Sequence, residues 1–249
     1  MLGRWQTNCY VIGDRRTSTA VIVDPGEHGE RFVPPLVDAL EVSVEAILLT
    51  HGHLDHLWAV PSLARKFDVP VMLHAADRWL WDDPGATFGA SAEILAAEFV
   101  GGWDPPTERL VTVDDHQRLG LAGHAFRVRH NPGHTPGHVT YLAADMRGVD
   151  LQLDLATVAD VGGSAEACAE AEVLFSGDLV FAGSIGRTDF PRGSMDDMMQ
   201  SLVDSVLALE DDTLILSGHG PRTTVGRERA TNPFLHQAQM VARSRGQQV

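Results

Sequence analysis

A single α/β domain is the fold the sequence predicts, and three observations point to it. Short β-rich runs alternate with amphipathic helical stretches along most of the chain. The length of 249 residues suits one large domain. Two apolar runs, Ile47-Leu-Leu-Thr-His51 and Leu214-Ile-Leu-Ser-Gly-His219, each lead from a strand into a histidine. In α/β sheets, functional sites gather beyond the carboxyl ends of strands.

Taken in order, Cys9 to Ile12 and Thr19 to Val23 are β-rich runs on either side of the polar stretch Gly13-Asp-Arg-Arg-Thr-Ser18. Asp24-Pro-Gly26 ends the second run, and Phe32 to Leu40 has the apolar spacing of a helix. Ala46 to Thr50 is a short strand of the fully buried kind. Val69 to Leu73 reads as a strand, Ala90 to Phe99 as a helix, and Phe126 to His130 as a strand entering the turn-rich Asn131-Pro-Gly-His-Thr-Pro-Gly137. Val139 to Leu142 and Val173 to Phe175 are further strands, Met195 to Leu209 is a helix, and Thr213 to Leu216 is the last strand. The acidic, Ala- and Gly-rich stretch 145–172 reads as a surface insertion with a partial strand at Val149 to Leu155.

Composition narrows the function classes. A hydrophobic fraction of 44% and a charged fraction of 21% are ordinary for a chain with a real core. The formal charge of −15 argues against a nucleic-acid partner, which needs a basic footprint. No apolar run reaches the roughly 18 residues of a membrane span, and the first residues lack the apolar stretch of a signal peptide. A cytoplasmic protein with no membrane partner is the expectation. Cys9 and Cys168 are far apart and outside any metal or disulfide spacing, so both read as incidental.

The densest chemical signal is Thr50-His-Gly-His-Leu-Asp-His56. Four metal-ligand side chains follow a buried strand directly, and imidazole with carboxylate suits zinc, iron or manganese. Gly52 allows a tight turn that lets His51 and His53 face one ion, while Asp55 and His56 start the next helical turn and reach toward a second. His134, Asp178 and His219 each follow a strand in a Gly-containing turn. Any one of them alone is an ordinary turn residue; with the first loop they complete a constellation.

These motifs resemble the metallo-β-lactamase superfamily, whose signature is His-x-His-x-Asp-His followed by a later His, Asp and His. The resemblance runs from about Asn8 to Leu235 and implies a four-layer αββα sandwich with a dinuclear metal site at the edge of the sheets. It implies that His51, His53 and His134 hold one ion, that Asp55, His56 and His219 hold the other, and that Asp178 bridges them. Asp24 matches a position that supports the ligands by hydrogen bonds. His138 is read as a structural supporter, bonding backbone in its turn. The remaining histidines, His28, His74, His116, His124, His130 and His236, and the tryptophans Trp58 and Trp79, are read as surface or packing residues.

Ser176 to Gly193 and Gly218 to Arg229, followed by Asn232-Pro-Phe-Leu235, resemble the single-domain bacterial branch of glyoxalase II-like thioester hydrolases. That branch implies two divalent ions, zinc foremost, a small-molecule thioester substrate, and attack by a metal-bridging hydroxide that Asp55 orients. Arg187 matches a basic residue that meets the substrate's carboxylate; the plainer reading is an ion pair with Asp189. Asp178 stands where zinc β-lactamases usually carry Cys, which argues against antibiotic hydrolysis. Only about thirty residues follow His219, so the helical domain that helps other glyoxalases II bind glutathione has no counterpart.

The rival within the superfamily is a persulfide dioxygenase with a single iron, which shares a segment like Gly186-Arg-Thr-Asp-Phe190. Gly218-His-Gly-Pro221 and Pro191-Arg192 depart from that branch and favour hydrolysis. A nuclease is disfavoured by the acidic charge. Ala182-Gly-Ser-Ile-Gly186 has the spacing of a serine nucleophile elbow, but Gly186 and Pro191 follow where a helix must begin. Ser184 is therefore not read as a nucleophile.

Overall fold

Alternation along the strands sorts the core into layers. The structure, a computed structural model, describes residues 1–14, 16–87, 103–146, 150–152, 166–167 and 172–246. In β2 (Thr19–Val23), Ala20 and Ile22 belong to one apolar cluster, Val21 and Val23 to another, and all four are buried. In β8 (Val139–Ala144), Tyr141 and Leu142 divide in the same way, as Phe175 and Leu174 do in β11 (Glu172–Gly177). Strands buried on both faces must lie between two covering layers.

Two sheets supply those strands. The first contains β1 (Tyr10–Asp14), β2, β3 (Ser43–Leu48), β4 (Val71–His74), β5 (Leu110–Val113), β9 (Asp150–Gln152) and β10 (Glu166–Ala167), in the order β10-β9-β1-β2-β3-β4-β5. The second contains β6 (Arg118–Leu121), β7 (His124–His130), β8, β11, β12 (Leu214–Ser217) and β13 (Thr223–Thr224), in the order β13-β12-β11-β8-β7-β6. Val21, Val23 and Leu48 from the first sheet pack against Phe126, Tyr141 and Phe175 from the second. The helices α1 (Gly29–Leu40), α2 (Leu54–Leu57), α3 (Val60–Phe67) and α4 (Arg78–Asp82) belong to the first half of the chain. Val33, Leu36 and Leu63 from α1 and α3 cover the outer face of the first sheet. On the outer face of the second sheet lie α5 (Met195–Ser205), α6 (Val225–Thr231) and α7 (Pro233–Ser244), through residues such as Met198, Leu202 and Leu235. The result is the four-layer αββα sandwich.

The pairing directions matter for function. β2, β3, β4 and β5 run parallel to one another, and β11 runs parallel to β12. Parallel neighbours end at the same edge, so the chain segments after β2, β3 and β4 emerge together. The ends of β11 and β12 likewise emerge together in the other sheet.

The strands match the sequence expectation to within a few residues, while several elements differ. α1 starts at Gly29 rather than Phe32, and α5 ends at Ser205 rather than Leu209, its last residues passing into turns. β5, β6, α3, α4, α6 and α7 add to the expected elements. Within 145–172, the described residues form β9 and β10, which extend the first sheet beyond β1. The helix expected at Ala90 to Phe99 lies outside the described residues. Among the described residues no helix is long and apolar enough to cross a membrane.

One buried hydroxyl ties the layers together beside the strand end that carries His51. Tyr141, fully buried in the second sheet, donates its hydroxyl to the Leu49 carbonyl at 2.9 Å. Tyr141→Phe keeps the ring volume but leaves that carbonyl without its partner. Urea unfolding is expected to show a loss of roughly 1–3 kcal/mol, and an unchanged midpoint would show that the bond contributes nothing.

Candidate metal centre

Every residue that the sequence singles out as a metal ligand lies at one edge of the sandwich. His51 follows β3, with His53, Asp55 and His56 continuing into α2; His134 follows β7, Asp178 follows β11 and His219 follows β12. Three groups of side chains bring their ligand atoms within 4.8 Å of one another: His51 with His53 and His134, His51 with His56 and Asp178, and Asp55 with His56 and His219.

Hydrogen bonds fix which ring nitrogen of each histidine is left over. The Arg187 carbonyl can only accept, so His134 donates to it from Nδ1 at 2.6 Å and keeps its lone pair on Nε2. His56 Nδ1 lies 3.1 Å from Asp24 Oδ2, which leaves His56 Nε2 turned toward Asp55 and Asp178. Thr50 gives its hydroxyl proton to Asp24 Oδ2 at 2.7 Å and thus accepts from His51 Nδ1 at 3.0 Å. His51 Nε2 is then left facing His53 Nδ1 at 3.1 Å. Asp24 is the common anchor, since it also accepts the Thr50 backbone N–H at 2.8 Å.

Asp178 stands between the two halves. Its Oδ1 lies 3.4 Å from His56 Nε2, and its Oδ2 lies 3.4 Å from His134 Nε2 and 3.6 Å from His219 Nε2. Asp55 Oδ2 lies 3.1 Å from His219 Nε2 and accepts the Thr7 hydroxyl at 3.0 Å. His138 uses Nε2 to accept the Asp178 backbone N–H at 3.1 Å. It therefore holds the end of β11 and has no lone pair left for an ion. Gly218 is required by close approach, because a Cβ there would meet Asp178 Oδ1 and the His56 ring.

These donors fit a divalent ion. Two atoms each about 2.1 Å from one tetrahedral ion sit roughly 3.4 Å apart, close to the spacings just given. His56 Nε2, His134 Nε2 and Asp178 Oδ1 are buried without a hydrogen-bond partner, which is costly unless something else satisfies them. The charges agree. Burial, helped by neighbouring imidazoles, pushes His51 well below its ordinary range and brings His53 down to about 3, so both present neutral lone pairs. Burial also opposes charge on His56, but Asp55, Asp178 and Asp24 outweigh it and hold its pKa well above the ordinary value. Burial opposes the Asp55 carboxylate too, yet the charge on His56 and the bond from His219 hold it down at about 2. Asp178 is kept below the usual carboxylate range, against its burial, by His56, His134 and His219. A proton on His56 thus does part of what a bound cation would do.

A cleft of 470 Å³ opens onto this edge, walled by Trp5, Phe181, Ile185, Arg187 and Phe190. Phe190 packs edge-on to His53 with ring centres 5.1 Å apart. The Arg187 side chain is exposed, pairs with Asp189 at 2.7 and 2.8 Å, and lies over the Phe190 ring. Its backbone carbonyl is what touches the cluster. Ser184 closes a turn with Phe181, and the next helix starts only at Met195, so the nucleophile-elbow context is missing.

Several supporting residues carried no sequence signal. Asp77, wholly buried after β4, accepts bonds from the loops that hold His51 and His134. Asn8 and Tyr10 hold the loop of His219 by bonding Ser217 and Gly220 carbonyls at 2.6–2.9 Å. Alternation along β1 marks Tyr10 as inward-facing, but nothing in its neighbourhood marks it as a clamp.

Comparison with known proteins follows from this geometry. The family described as Metallo-beta-lactamase superfamily is matched over residues 2–149 and 160–219. A relative from Haemophilus influenzae, named hydroxyacylglutathione hydrolase GloC, is 33% identical over 233 residues, covering 93% of this chain and 94% of that protein. The crystal structure of BLEG-1, a B3 metallo-beta-lactamase, is 34% identical with a TM-score of 0.70, covering 94% of this chain and 96% of that one. TTHA1623, solved in a di-iron-bound form, is 33% identical with a TM-score of 0.68, covering 94% and 97%. In sequence, in layer order and in the histidine–aspartate cluster at its edge, the chain belongs to the metallo-beta-lactamase superfamily of metal-dependent hydrolases.

Proposed function

We propose that the protein is a dinuclear hydrolase that cleaves the thioester of a small thiol, of the hydroxyacylglutathione type, with zinc as its principal metal. The observation that carries this reading is Asp178, which reaches both halves of the cluster: its Oδ2 lies between His134 and His219, and its Oδ1 faces His56. His51, His53 and His134 would hold one ion, Asp55, His56 and His219 the other, and Asp178 both. The relative named hydroxyacylglutathione hydrolase, matched over nearly its whole length, supports the thioester. An aspartate at 178 and the Gly218-His-Gly-Pro221 sequence favour that substrate over a β-lactam or a persulfide.

Bound there, two divalent ions lower the pKa of water and polarise the carbonyl under attack. The protein's own contribution is to place the groups around that event. Asp55, with a pKa near 2, stays ionised and is held by Thr7, so its free lone pairs orient the attacking water by accepting a hydrogen bond. Trp5, Phe181 and Phe190 restrict water beside the acyl group, which strengthens the electrostatic terms there. The thiolate leaves without a general acid, since its conjugate thiol has a pKa of about 8.5. Arg187 meets the substrate's carboxylate by exchanging Asp189 for it. An exposed pair of that kind is screened by water and salt, so the exchange costs little.

Three measurements test the proposal. Elemental analysis with assays on S-D-lactoylglutathione, a chromogenic β-lactam and a persulfide should find about two metals per chain and thioester cleavage dominant. One iron with oxygen uptake, or β-lactam turnover dominant, would overturn the substrate assignment. Asp178→Ala should lose metal and lower kcat/KM by more than about 100-fold together; an active, metal-replete variant would sink the bridging role. Arg187→Ala should raise KM for a carboxylate-bearing thioester with little change in kcat, and a fall in kcat alone would remove Arg187 from substrate binding.

The protonation pattern gives a further expectation. Asp55 and Asp178 are already ionised at neutral pH, and His51 and His53 are already neutral. Against their burial, His56 is held well above its ordinary range by Asp55, Asp178 and Asp24, and His219 is raised by Asp55 and Asp178, so an ion entering their half must displace protons there. Calorimetric titration with zinc in two buffers of different ionisation enthalpy should show proton release at pH 7. Affinity should rise as pH rises toward the His56 pKa. Buffer-independent heats would mean that His56 and His219 are both neutral in the metal-free protein.

A further inference from the structure

Asp77 lies outside every motif, yet it is the residue on which the loops of the three-histidine half converge. Its side chain is fully buried. Oδ2 accepts the Gly52 backbone N–H at 3.0 Å, between His51 and His53, and the Thr135 hydroxyl at 2.6 Å, next to His134. Oδ1 accepts the Gly137 N–H at 2.7 Å, on the same loop as His134. Both glycines are pressed against this segment: a Cβ at Gly137 would fall on the Asp77 carboxyl, and one at Gly52 on Leu80. The turn carrying Asp77, Ala75–Asp77, is itself capped by His74, whose ring stacks on His130 with centres 4.1 Å apart. His130 in turn bonds the Pro136 carbonyl at 2.8 Å, on the loop of His134.

The other half of the cluster stands on different supports. His56 is held by Asp24, Asp55 by Thr7, and the loop of His219 by Asn8 and Tyr10. None of the three groups that bond Asp77 belongs to these supports. Apart from Asp24, which holds His56 directly and His51 through Thr50, the two halves are braced by different groups.

The geometry points to Asp77 as the positioning residue of the three-histidine half. By taking one donor from the His51–His53 turn and two from the loop of His134, it sets the spacing of those three imidazoles, and it leaves the Asp55–His56–His219 half untouched. This rests on the dinuclear reading above. Asp77→Asn swaps an acceptor oxygen for an amide that faces an N–H whichever way it turns, so at least one of the three bonds is lost. Thr135→Val removes one donor at nearly constant volume, and Thr135→Ser restores it.

The test is a cobalt(II) titration of the metal-free wild type, D77N, T135V and T135S. It is read by visible absorption, by the hyperfine-shifted ring N–H resonances of the ligand histidines, and by thermal unfolding of each metal-free protein. Wild type should take two equivalents. D77N should keep one with His56 and His219 signals, while the equivalent carrying His51, His53 and His134 signals weakens by about 10–100-fold. T135V should weaken the same equivalent by less, and T135S should match wild type. Fewer than two equivalents in wild type would overturn the dinuclear reading and this proposal with it. Two equivalents in wild type with equal weakening of both in D77N, tracking a fall in Tm, would make Asp77 a scaffold residue only. Unchanged binding in both D77N and T135V would remove it from the centre. Should D77N fail to fold, the contrast between T135V and T135S decides alone.

Discussion

Three carboxylates, the buried Asp24 and Asp178 and the half-buried Asp55, stand among imidazoles at one edge of the sandwich, and the surrounding structure is arranged around keeping them there. A carboxylate removed from water must be hydrogen-bonded or paired, because leaving it alone costs several kcal/mol. Asp24 shows how this is met. It takes two bonds from Thr50 and one from His56, at a residue whose backbone is held in the left-handed region with φ of 48°. Thr50 in turn gives its carbonyl to the Val139 N–H at 2.7 Å, joining the end of β3 to the start of β8. One buried acid thus fixes a ligand histidine and the seam between the two sheets together.

The seam explains why the cluster sits at an edge rather than within a sheet. Parallel strands deliver their carboxyl ends to one side, and those ends are where the chain is free to turn. Each turn is then tightened until backbone replaces side chain. Gly177, with φ of +48°, brings the end of β11 against Thr50 and His138, and Gly218 brings the end of β12 against Asp178 and His56. The first residues close the remaining side, with Thr7 bridged to His219 and Asn8 bonded to Gly218. A cluster built this way loses little entropy when it takes an ion, since its ring orientations are already set by hydrogen bonds on the far nitrogens.

How much of this was legible in the sequence depended on whether the physics was local. The strands were readable because burial on both faces leaves unbroken apolar runs, as in Ala46 to Leu49. The clustered histidines and aspartates were readable as candidate ligands because six of them follow such runs within a few positions, in a spacing that resembles a known family. β5 and β6 were not, since Leu110–Val113 and Arg118–Leu121 are short and carry exposed or charged residues that blur the period, while α3 (Val60–Phe67) keeps the helical period, with Val60, Leu63 and Ala64 buried, over only two turns. α7 does announce itself, through Asn232 as N-cap and Pro233 in the first turn, a signal that periodicity alone does not weigh. Asp77 could not be found at all. An aspartate between two alanines and an arginine gives no sign that its three partners come from 25 to 60 residues away.

The same division separates what the centre does from what the cleft admits. Buried groups such as Asp24, His138 and Asp178 act at low effective dielectric, where each hydrogen bond is strong and a lost one is costly. The groups at the cleft mouth work under the opposite condition. Arg187 and Asp189 are more than half exposed, and their pairing is screened by water and salt. Phe190 binds the two regimes together, one face under the Arg187 guanidinium and its edge against His53. A change at the rim can therefore alter what the cleft holds without disturbing the charges of the centre. A change at the centre cannot spare any substrate. Under the proposed function, selectivity would accordingly be a property of Trp5, Arg187 and Phe190, and reactivity a property of the strand ends beneath them.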